Sequence, residues 1–300
     1  MERVMAQFNI GFVGLGAMGQ PIVGRLLQAG HPVQVADLSE ELVNQAIAAG
    51  ATAAESSQTV GQGKNLVFVS VSNAAITEQV ICEPGGLLDG MDEGGIIVDL
   101  GTTPSPKCRQ LAEIALSRGK QFLDVPLSGS TPWAQAGTLA VMVGGDEQAY
   151  NSVLPVLQCF GDKIHYLGAS GSGQLLKLCH QLAFMATLTG LSEAIALGER
   201  NGQSAETVLK VIGDCVSPRH VIDFMLPMAK TGAFDQGDGT LKIFHKDLAA
   251  VLASAEEAGI NLPLTETIYG YFDHALSGGR ETTSSFGVVQ LARDEFFNNS

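Results

Sequence analysis

Lys177 occupies the most unusual chemical setting in this sequence. It interrupts the apolar run Leu-Leu-Lys-Leu, which begins one residue after the turn-forming triplet Gly-Ser-Gly. His180 and Gln181 follow three and four residues later, so a helix would place all three polar side chains on one face. Burial disfavours an ammonium and lowers its pKa, which would suit Lys177 to general acid or base chemistry. The pattern alone fits a lysine that snorkels from a half-buried helix equally well.

A second group of polar residues follows a predicted strand. Residues 124–130 read Asp-Val-Pro-Leu-Ser-Gly-Ser, and the strand before them spans Gln121–Val125. The hydroxyls of Ser128 and Ser130, with the accessible backbone of Gly129, could hold a carboxylate through O–H and N–H donors. On pattern alone, a plain turn with no ligand is the more frequent outcome.

Three glycines follow the first apolar strand with the spacing G-x-G-x-x-G. They are Gly14, Gly16 and Gly19, and a predicted helix (Pro21–Ala29) and a second strand ending at Asp37 come after them. The first glycine permits a sharp turn, the second a close approach of a pyrophosphate, and the third close packing of helix on sheet. The helix N-terminus offers free N–H groups to phosphates. The sequence therefore predicts a dinucleotide site.

Asp37 bears on which dinucleotide is bound. A carboxylate at this position can accept hydrogen bonds from both ribose hydroxyls of an adenosine. It would repel a 2′-phosphate, and the next residue is Leu38 rather than an arginine. Because the loss of one charge-assisted hydrogen bond costs about 1.5–3 kcal/mol, Asp37 predicts NAD rather than NADP.

Alternating strands and helices position these residues. This alternation predicts an α/β Rossmann-type domain with a doubly wound parallel sheet over residues 1–168. One long helical pattern from Gly173 to about Asn201 then joins it to an all-helical domain, residues 169–300. The remaining predicted strands are Leu66–Val71, Gly95–Asp99, Gln121–Val125, Thr138–Val143 and Ile164–Leu167, with a loop over Ser128–Gly137. The predicted helices of the second domain are Ala205–Asp214, His220–Thr231, Ile243–Ala258, Leu264–Leu276 and Gly287–Phe297.

Composition excludes several classes of partner. A net charge of −14 argues against nucleic acid and against an anionic membrane surface. The longest apolar stretch, between His180 and Glu193, is shorter than the roughly 20 residues of a membrane span. Five scattered cysteines without a C-x-x-C pair predict neither disulfides nor zinc, and the histidines have no metal-ligand spacing. With a first strand starting near residue 8, we expect no signal peptide and a cytoplasmic location.

Taken together, four stretches in chain order resemble the β-hydroxyacid dehydrogenase family, which includes 3-hydroxyisobutyrate dehydrogenase and tartronate semialdehyde reductase. Residues 11–21 resemble its cofactor fingerprint and residues 124–130, running on to 136–139, its substrate loop. Residues 171–173 with Lys177 resemble its catalytic helix, and Lys246-Asp247-Leu248 its cofactor-closing segment. The resemblance covers nearly the whole chain.

The resemblance implies roles for individual residues. Lys177 would be the general acid/base that exchanges the proton of the substrate hydroxyl while hydride passes between carbon and nicotinamide. Thr102 would lie near the nicotinamide, and Lys246 would cover the cofactor. The implied cofactor-binding residues are Gly14, Leu15, Gly16, Ala17, Met18, Gly19, Asp37, Leu38, Val71, Ser72, Ile76, Thr102 and Lys246. The implied substrate-binding residues are Ser128, Gly129, Ser130, Trp133, His180 and Gln181.

Three residues depart from the family pattern within the implied substrate site. Ser130 and Trp133 stand where glycines are usual, and His180 stands where the family commonly has asparagine. The Lys-x-x-His-Gln arrangement is more similar to the branch that acts on four-carbon sugar acids such as threonate. We expect these departures to reshape the substrate pocket and leave the hydride chemistry intact.

The sequence thus predicts an NAD-dependent dehydrogenase of a small 3-hydroxy acid, working in either direction. Two alternatives remain. An NADPH-dependent imine or keto reductase shares the fold, although its proton-donor position usually carries an acid or tyrosine. A dinucleotide sensor without turnover is the second. The family resemblance also implies homodimers or homotetramers.

Overall fold

The computed structural model describes residues 8–215, 218–234, 240–280 and 283–289. The chain divides into two compact units between Gln181 and Leu182. This division lies within a long helix, whereas the domain boundary predicted after residue 168 precedes that helix and remains a prediction.

Six parallel strands form the main sheet of the first unit, in the order β3-β2-β1-β4-β5-β6. Three of them bury all four residues, because helices cover both faces of the sheet. This confirms the predicted Rossmann-type architecture. The strands are β1 (Ile10–Val13), β2 (Val33–Ala36), β3 (Thr52–Ala53), β4 (Leu66–Val69), β5 (Ile96–Asp99) and β6 (Gln121–Asp124).

Helices of the first unit connect these strands, and several begin at a polar residue that caps them. Serine is a residue type that commonly caps helices, and the Ser39 hydroxyl accepts the N–H of Leu42 at 3.4 Å. The helices are α1 (Gly19–Gln28), α2 (Glu40–Ala48), α3 (Ser57–Gly61), α4 (Ala74–Cys82), α5 (Leu87–Gly90), α6 (Ser105–Ser117), α7 (Thr131–Ala136) and α8 (Glu147–Leu157).

The strands after β6 do not extend the main sheet, an arrangement that the predicted series of strands did not anticipate. They form a separate sheet, β7 (Leu127–Ser128), β8 (Leu139–Val143) and β9 (Gly161–Tyr166). β7 pairs antiparallel with β8 because the chain reverses between them. The loop predicted over Ser128–Gly137 is wrong, since this segment contains α7, whose C-cap Gly137 has a φ of 75°.

The described part of the second unit is helical. Its helices are α10 (Ala205–Asp214), α11 (Pro218–Thr231), α12 (Leu241–Ala258) and α13 (Pro263–Ser277), and they follow α9 (Ser172–Arg200), the helix that contains the division between the units. Glu193 on α9 caps α13: its carboxylate accepts the N–H groups of Leu264 at 2.7 Å and Thr265 at 3.0 Å. A 3₁₀ turn spans Ser285–Gly287, and most of the helix predicted over Gly287–Phe297 lies outside the described residues.

Among the described helices, only α9 is long and apolar enough to cross a membrane by length and composition. A core helix of a soluble protein meets the same two criteria. The predicted absence of a membrane span remains a prediction.

Candidate active site

The turn between β1 and α1 is built by its glycines. Gly14 has a φ of 95°, and a Cβ there would collide with the Ser70 carbonyl oxygen. A Cβ at Gly19 would collide with the Gly14 carbonyl oxygen. These contacts agree with the predicted turning and packing roles. Gly16 differs, because a Cβ there would have no atom within 4 Å, so its backbone faces open space that a ligand can enter.

The N-terminus of α1 has no side-chain cap. Its first turn also has no acidic residue. Because the first N–H groups of a helix lack intrahelical partners and lie at its positive end, this terminus suits an anion such as a pyrophosphate. Five other helices have a side chain that accepts an N–H of their first turn; the capping residues are Ser39, Ser56, Asn73, Asp146 and Ser204.

A cavity of about 620 Å³ opens beside this turn. Its size is that of a site for a small molecule or nucleoside. Asp37, Glu55 and Glu83 are the charged residues of its wall, and none of the lining residues is a lysine or arginine. The predicted cofactor residues that line the cavity are Gly14, Gly16, Asp37, Leu38, Val71, Ser72 and Ile76.

The Asp37 carboxylate is fixed between the glycine turn and α2. One oxygen accepts the N–H of Leu15 at 2.6 Å, and the other accepts the N–H of Ser39 at 2.8 Å. Each carboxylate oxygen has a further lone pair for a ligand hydroxyl. Asp37 therefore stands at the cavity wall in a defined orientation, while the adjacent Leu38 side chain is fully exposed.

The other predicted cofactor residues lie in different settings. The Leu15 side chain is fully buried in the core, so this residue shapes the turn through its backbone. Ala17 borders the same turn, and its carbonyl oxygen accepts a hydrogen bond from the Thr131 hydroxyl at 3.3 Å. This bond ties the glycine turn to α7. Met18 is the N-cap residue of α1. Lys246 belongs to the second unit, on α12, where it pairs with Asp247 at 3.2 Å.

The predicted substrate loop meets the helix that carries the lysine. Ser128 Oγ lies 3.4 Å from Nε2 of His180, a contact that joins two predicted substrate residues 52 positions apart. Gly129 has a φ of 132°, and a Cβ there would lie 3.2 Å from Trp133 Cβ. The Trp133 side chain is half exposed. The Ser130 side chain makes no capping bond to α7, although the residue occupies its N-cap position, so its hydroxyl is free of that role.

Lys177 lies in the second turn of α9 and is partly buried. Burial lowers the pKa of its ammonium below the usual 10.5. Within the described residues, Lys177 makes no hydrogen bond or ion pair with another side chain. An amine with a lowered pKa gives up its proton more readily than an exposed lysine, and its nitrogen is available to a substrate oxygen.

Two buried carboxyl groups at adjacent strand ends were not singled out by the sequence analysis. Asp99 ends β5 and Asp124 ends β6; they are register partners, and both are fully buried. Burial, with a smaller contribution from the Asp124 charge, raises the pKa of Asp99 to about 6. Hydrogen bonds from Thr103 and Gly101 to the carboxylate lower this pKa but do not offset the effect of burial. Burial also raises the pKa of Asp124. A charged residue closing an apolar strand was the available signal for both.

Comparison with known proteins covers both parts of the chain. A model described as the NAD binding domain of 6-phosphogluconate dehydrogenase matches residues 9–168. A second, described as NAD-binding of NADP-dependent 3-hydroxyisobutyrate dehydrogenase, matches residues 171–291. The 2-(hydroxymethyl)glutarate dehydrogenase of Eubacterium barkeri is 34% identical over 92% of this chain and 93% of its own.

Solved structures agree with this match. The 3-hydroxyisobutyrate dehydrogenase of Mycobacterium tuberculosis, solved with L-serine, is 26% identical with a TM-score of 0.67, over 96% of this chain and all of its own. An imine reductase from Myxococcus stipitatus has a TM-score of 0.86 over 95% of this chain and 99% of its own, but its 18% identity shows the fold alone. With both halves matched in order and a relative 34% identical over most of its length, the chain belongs to the β-hydroxyacid dehydrogenases, a family of NAD(P)-dependent oxidoreductases.

Proposed function

We propose that this protein is an NAD-dependent dehydrogenase that oxidises a small 3-hydroxy acid to the aldehyde or keto acid, or catalyses the reverse reduction. The observation that carries the proposal is the setting of Lys177, a partly buried amine with a lowered pKa and no protein partner in the described residues. It stands one helical turn before His180, which contacts the Ser128 hydroxyl of the predicted substrate loop.

The chemistry divides between cofactor and protein. When bound, NAD⁺ accepts a hydride at the nicotinamide from the hydroxyl-bearing carbon. In its neutral form, Lys177 takes the hydroxyl proton as the carbon–oxygen double bond forms, and it later releases that proton to solvent. In the reverse direction its ammonium donates the proton to the new hydroxyl. The products of oxidation are therefore the carbonyl acid, NADH and one proton.

The cavity wall supports NAD over NADP. Its charged residues are the carboxylates of Asp37, Glu55 and Glu83. A 2′-phosphate would meet these negative charges without an arginine or lysine from the cavity lining. The ribose hydroxyls of NAD would instead find an acceptor in Asp37.

The substrate loop favours a compact acid with a further polar group. Ser128, Gly129 and Ser130 supply hydroxyl and N–H donors for a carboxylate. The His180 ring, larger than the asparagine usual in the family, presents a nitrogen beside Ser128. We propose that His180 and Ser128 together form hydrogen bonds to a second hydroxyl of the substrate, such as that of a four-carbon sugar acid. Trp133 would form a wall of the substrate pocket.

Coupled absorbance assays test this proposal. Three- and four-carbon hydroxy acids should be supplied with NAD⁺ and with NADP⁺, and the matching carbonyl acids with NADH and NADPH. We expect turnover with a 3-hydroxy acid and a preference for NAD⁺ over NADP⁺. The Asp37→Ala substitution should reduce that preference. Preference of the unaltered enzyme for NADP⁺ would contradict the cofactor assignment. Turnover of cyclic imines alone would favour the imine reductase alternative. The absence of turnover with every substrate would favour a dinucleotide sensor.

We also propose that the protein self-associates as a dimer or tetramer. Large apolar side chains are about half exposed along the helices of the second unit, among them Leu209, Val211, Ile222 and Leu226. A second copy of the chain would bury such side chains. Light scattering coupled to size exclusion should give a mass at least twice the 31.3 kDa of the chain, and a monomer at micromolar concentration would contradict the proposal.

A further inference from the structure

The start of α9 is held by a carboxylate from another element. Asp124, at the end of β6, accepts the N–H of Gly171 at 2.7 Å and the N–H of Gln174 at 2.9 Å. The negative group thus lies at the positive end of the helix, where it is stabilising. Room for this approach comes from Gly144, at which a Cβ would lie 2.6 Å from an Asp124 oxygen.

Gln174 links the start of α9 to a second segment, the turn after β5 that contains Gly101. Its side chain is fully buried, and its Nε2 donates a hydrogen bond to the Gly101 carbonyl oxygen at 2.7 Å. Gly101 directly precedes Thr102, and its own N–H donates to Asp99 at 2.9 Å. The turn carrying Thr102 is therefore fixed on one side by a strand end and on the other by the first turn of α9.

The second polar atom of Gln174 distinguishes a positioning role from a purely structural one. Oε1 is buried and has no hydrogen-bond partner in the described part of the chain. A buried acceptor without a partner destabilises a fold, and an apolar side chain of similar shape would avoid that cost. The amide therefore contributes less to stability than its donated bond suggests.

Lys177 lies three residues after Gln174, on the same face of the helix and about 4.5 Å further along its axis. We infer that Gln174 is a positioning residue, whose amide holds the turn of Thr102 at a fixed separation from the helical turn of Lys177. This inference rests on the proposed function, in which Thr102 borders the nicotinamide and Lys177 exchanges the proton. Both groups must be placed to within a fraction of an ångström for efficient hydride transfer.

Gln174→Met tests the inference, with Gln148→Met on the exposed face of α8 as a matched control. Methionine keeps the length of the side chain and removes both the donor and the unpartnered acceptor. We expect kcat to fall about 10- to 100-fold, since misplacement by about 1 Å costs up to that much, while KM for NAD⁺ changes less than about threefold. The melting temperature should stay within about 3 °C of the unaltered protein.

The pH dependence of kcat in Gln174→Glu distinguishes a positioning role from a purely structural one. The introduced carboxylate cannot donate to the Gly101 carbonyl oxygen, but its protonated form can. We therefore expect kcat of this variant, expressed relative to the unaltered enzyme at the same pH, to rise as the pH is lowered. The relative kcat of Gln174→Met should stay constant over the same range.

The outcomes separate this inference from the function on which it rests. A Gln174→Met enzyme with the kcat of Gln148→Met would overturn the inference and leave the proposed function standing. A loss explained by weaker NAD⁺ binding or by a lower melting temperature would also overturn it, in favour of a structural role. Absence of turnover in the unaltered enzyme would overturn the proposed function and the inference with it.

Discussion

The two units of this chain differ in where they place polar and apolar groups. The first unit buries a large apolar core on both faces of its sheet and also encloses Asp99, Asp124 and Gln174 completely. In the described part of the second unit, the buried apolar cluster consists of Leu241 and Ala275 with partly buried neighbours. Helix α10 buries none of its residues.

From this difference we expect substitutions in the first unit to affect chemistry and substitutions in the second unit to affect stability. A polar group enclosed in protein interacts strongly with its neighbours, so its loss changes pKa values and the positions of attached elements. A polar group at the surface of a helical unit contributes mainly to local stability. We therefore expect effects on turnover and pH dependence from the first unit, and smaller, local effects from the second.

Lys177→Ala should have the largest effect. Removal of a general acid/base lowers kcat by about 10²- to 10⁴-fold. Binding of NADH, followed by its fluorescence, should be unchanged, because the lysine is predicted to act on the substrate. Lys163→Ala, at a lysine with a largely exposed side chain, is the matched control. A near-normal kcat in Lys177→Ala would remove the proposed role.

Asp124→Asn should destabilise the first unit by about 3 kcal/mol. The neutral amide weakens two charge-assisted bonds to the start of α9, and its NH₂ group would face a backbone N–H. The free energy of unfolding, measured by denaturant titration, gives this value. A change below about 0.5 kcal/mol would show that the carboxylate does not hold the helix.

Asp99→Asn should change how stability depends on pH. The folded state raises the pKa of Asp99 from 3.8 to about 6, chiefly through burial. Between these values the folded protein binds more protons than the unfolded chain, so this group makes stability fall as the pH rises, and the effect is complete above about pH 6. Relative to the variant, the unaltered protein should lose up to about 3 kcal/mol between pH 4 and pH 7. Parallel stability curves for the two proteins would contradict the buried, raised pKa.

Glu193→Gln should have the smallest effect, confined to the second unit. Burial raises the pKa of Glu193, but its hydrogen bonds to Thr265 and Leu264 together outweigh this and lower it. The stabilisation is therefore present above the unfolded pKa and is lost as the pH falls. Loss of such a helix cap costs about 1 kcal/mol. Amide hydrogen exchange at the start of α13 should be faster in Glu193→Gln than in the unaltered protein. Glu199→Gln, at an exposed position of α9, is the control. Equal exchange rates in the two variants would show that the Glu193 cap contributes little.

Local rules predicted much of the fold. The apolar strands, the glycine turn and the Ser39 cap follow from residue type and spacing, and the helix predicted over Ala205–Asp214 has those bounds in the structure. The departure of β8 into a second sheet did not follow, because apolar alternation indicates a strand but not its partner. Pairing of β7 and β8 depends on the chain reversal around α7, which no local pattern specified.

The site was predictable where function depends on local spacing, and not where it depends on distant contacts. Helical spacing predicts that Lys177 and His180 share one face of a helix. The contact of His180 with Ser128, in contrast, joins residues 52 positions apart. The bond from Gln174 to Gly101 spans 73 positions and joins a side chain to a carbonyl oxygen, which leaves no trace in sequence. Burial of Asp124 likewise depends on the packing of three separate elements around it.

The role of Lys177 as general acid/base has its sharpest test in the pH dependence of catalysis, measured in both reaction directions. If Lys177 is the acid/base, kcat/KM for oxidation of the hydroxy acid should rise with pH as its ammonium loses a proton, and kcat/KM for reduction should fall over the same range. Both limbs should report one pKa below the usual 10.5 of a lysine, and both should vanish in the residual activity of Lys177→Ala. Limbs that persist in that variant, or that run in the same sense in both directions, would contradict the account.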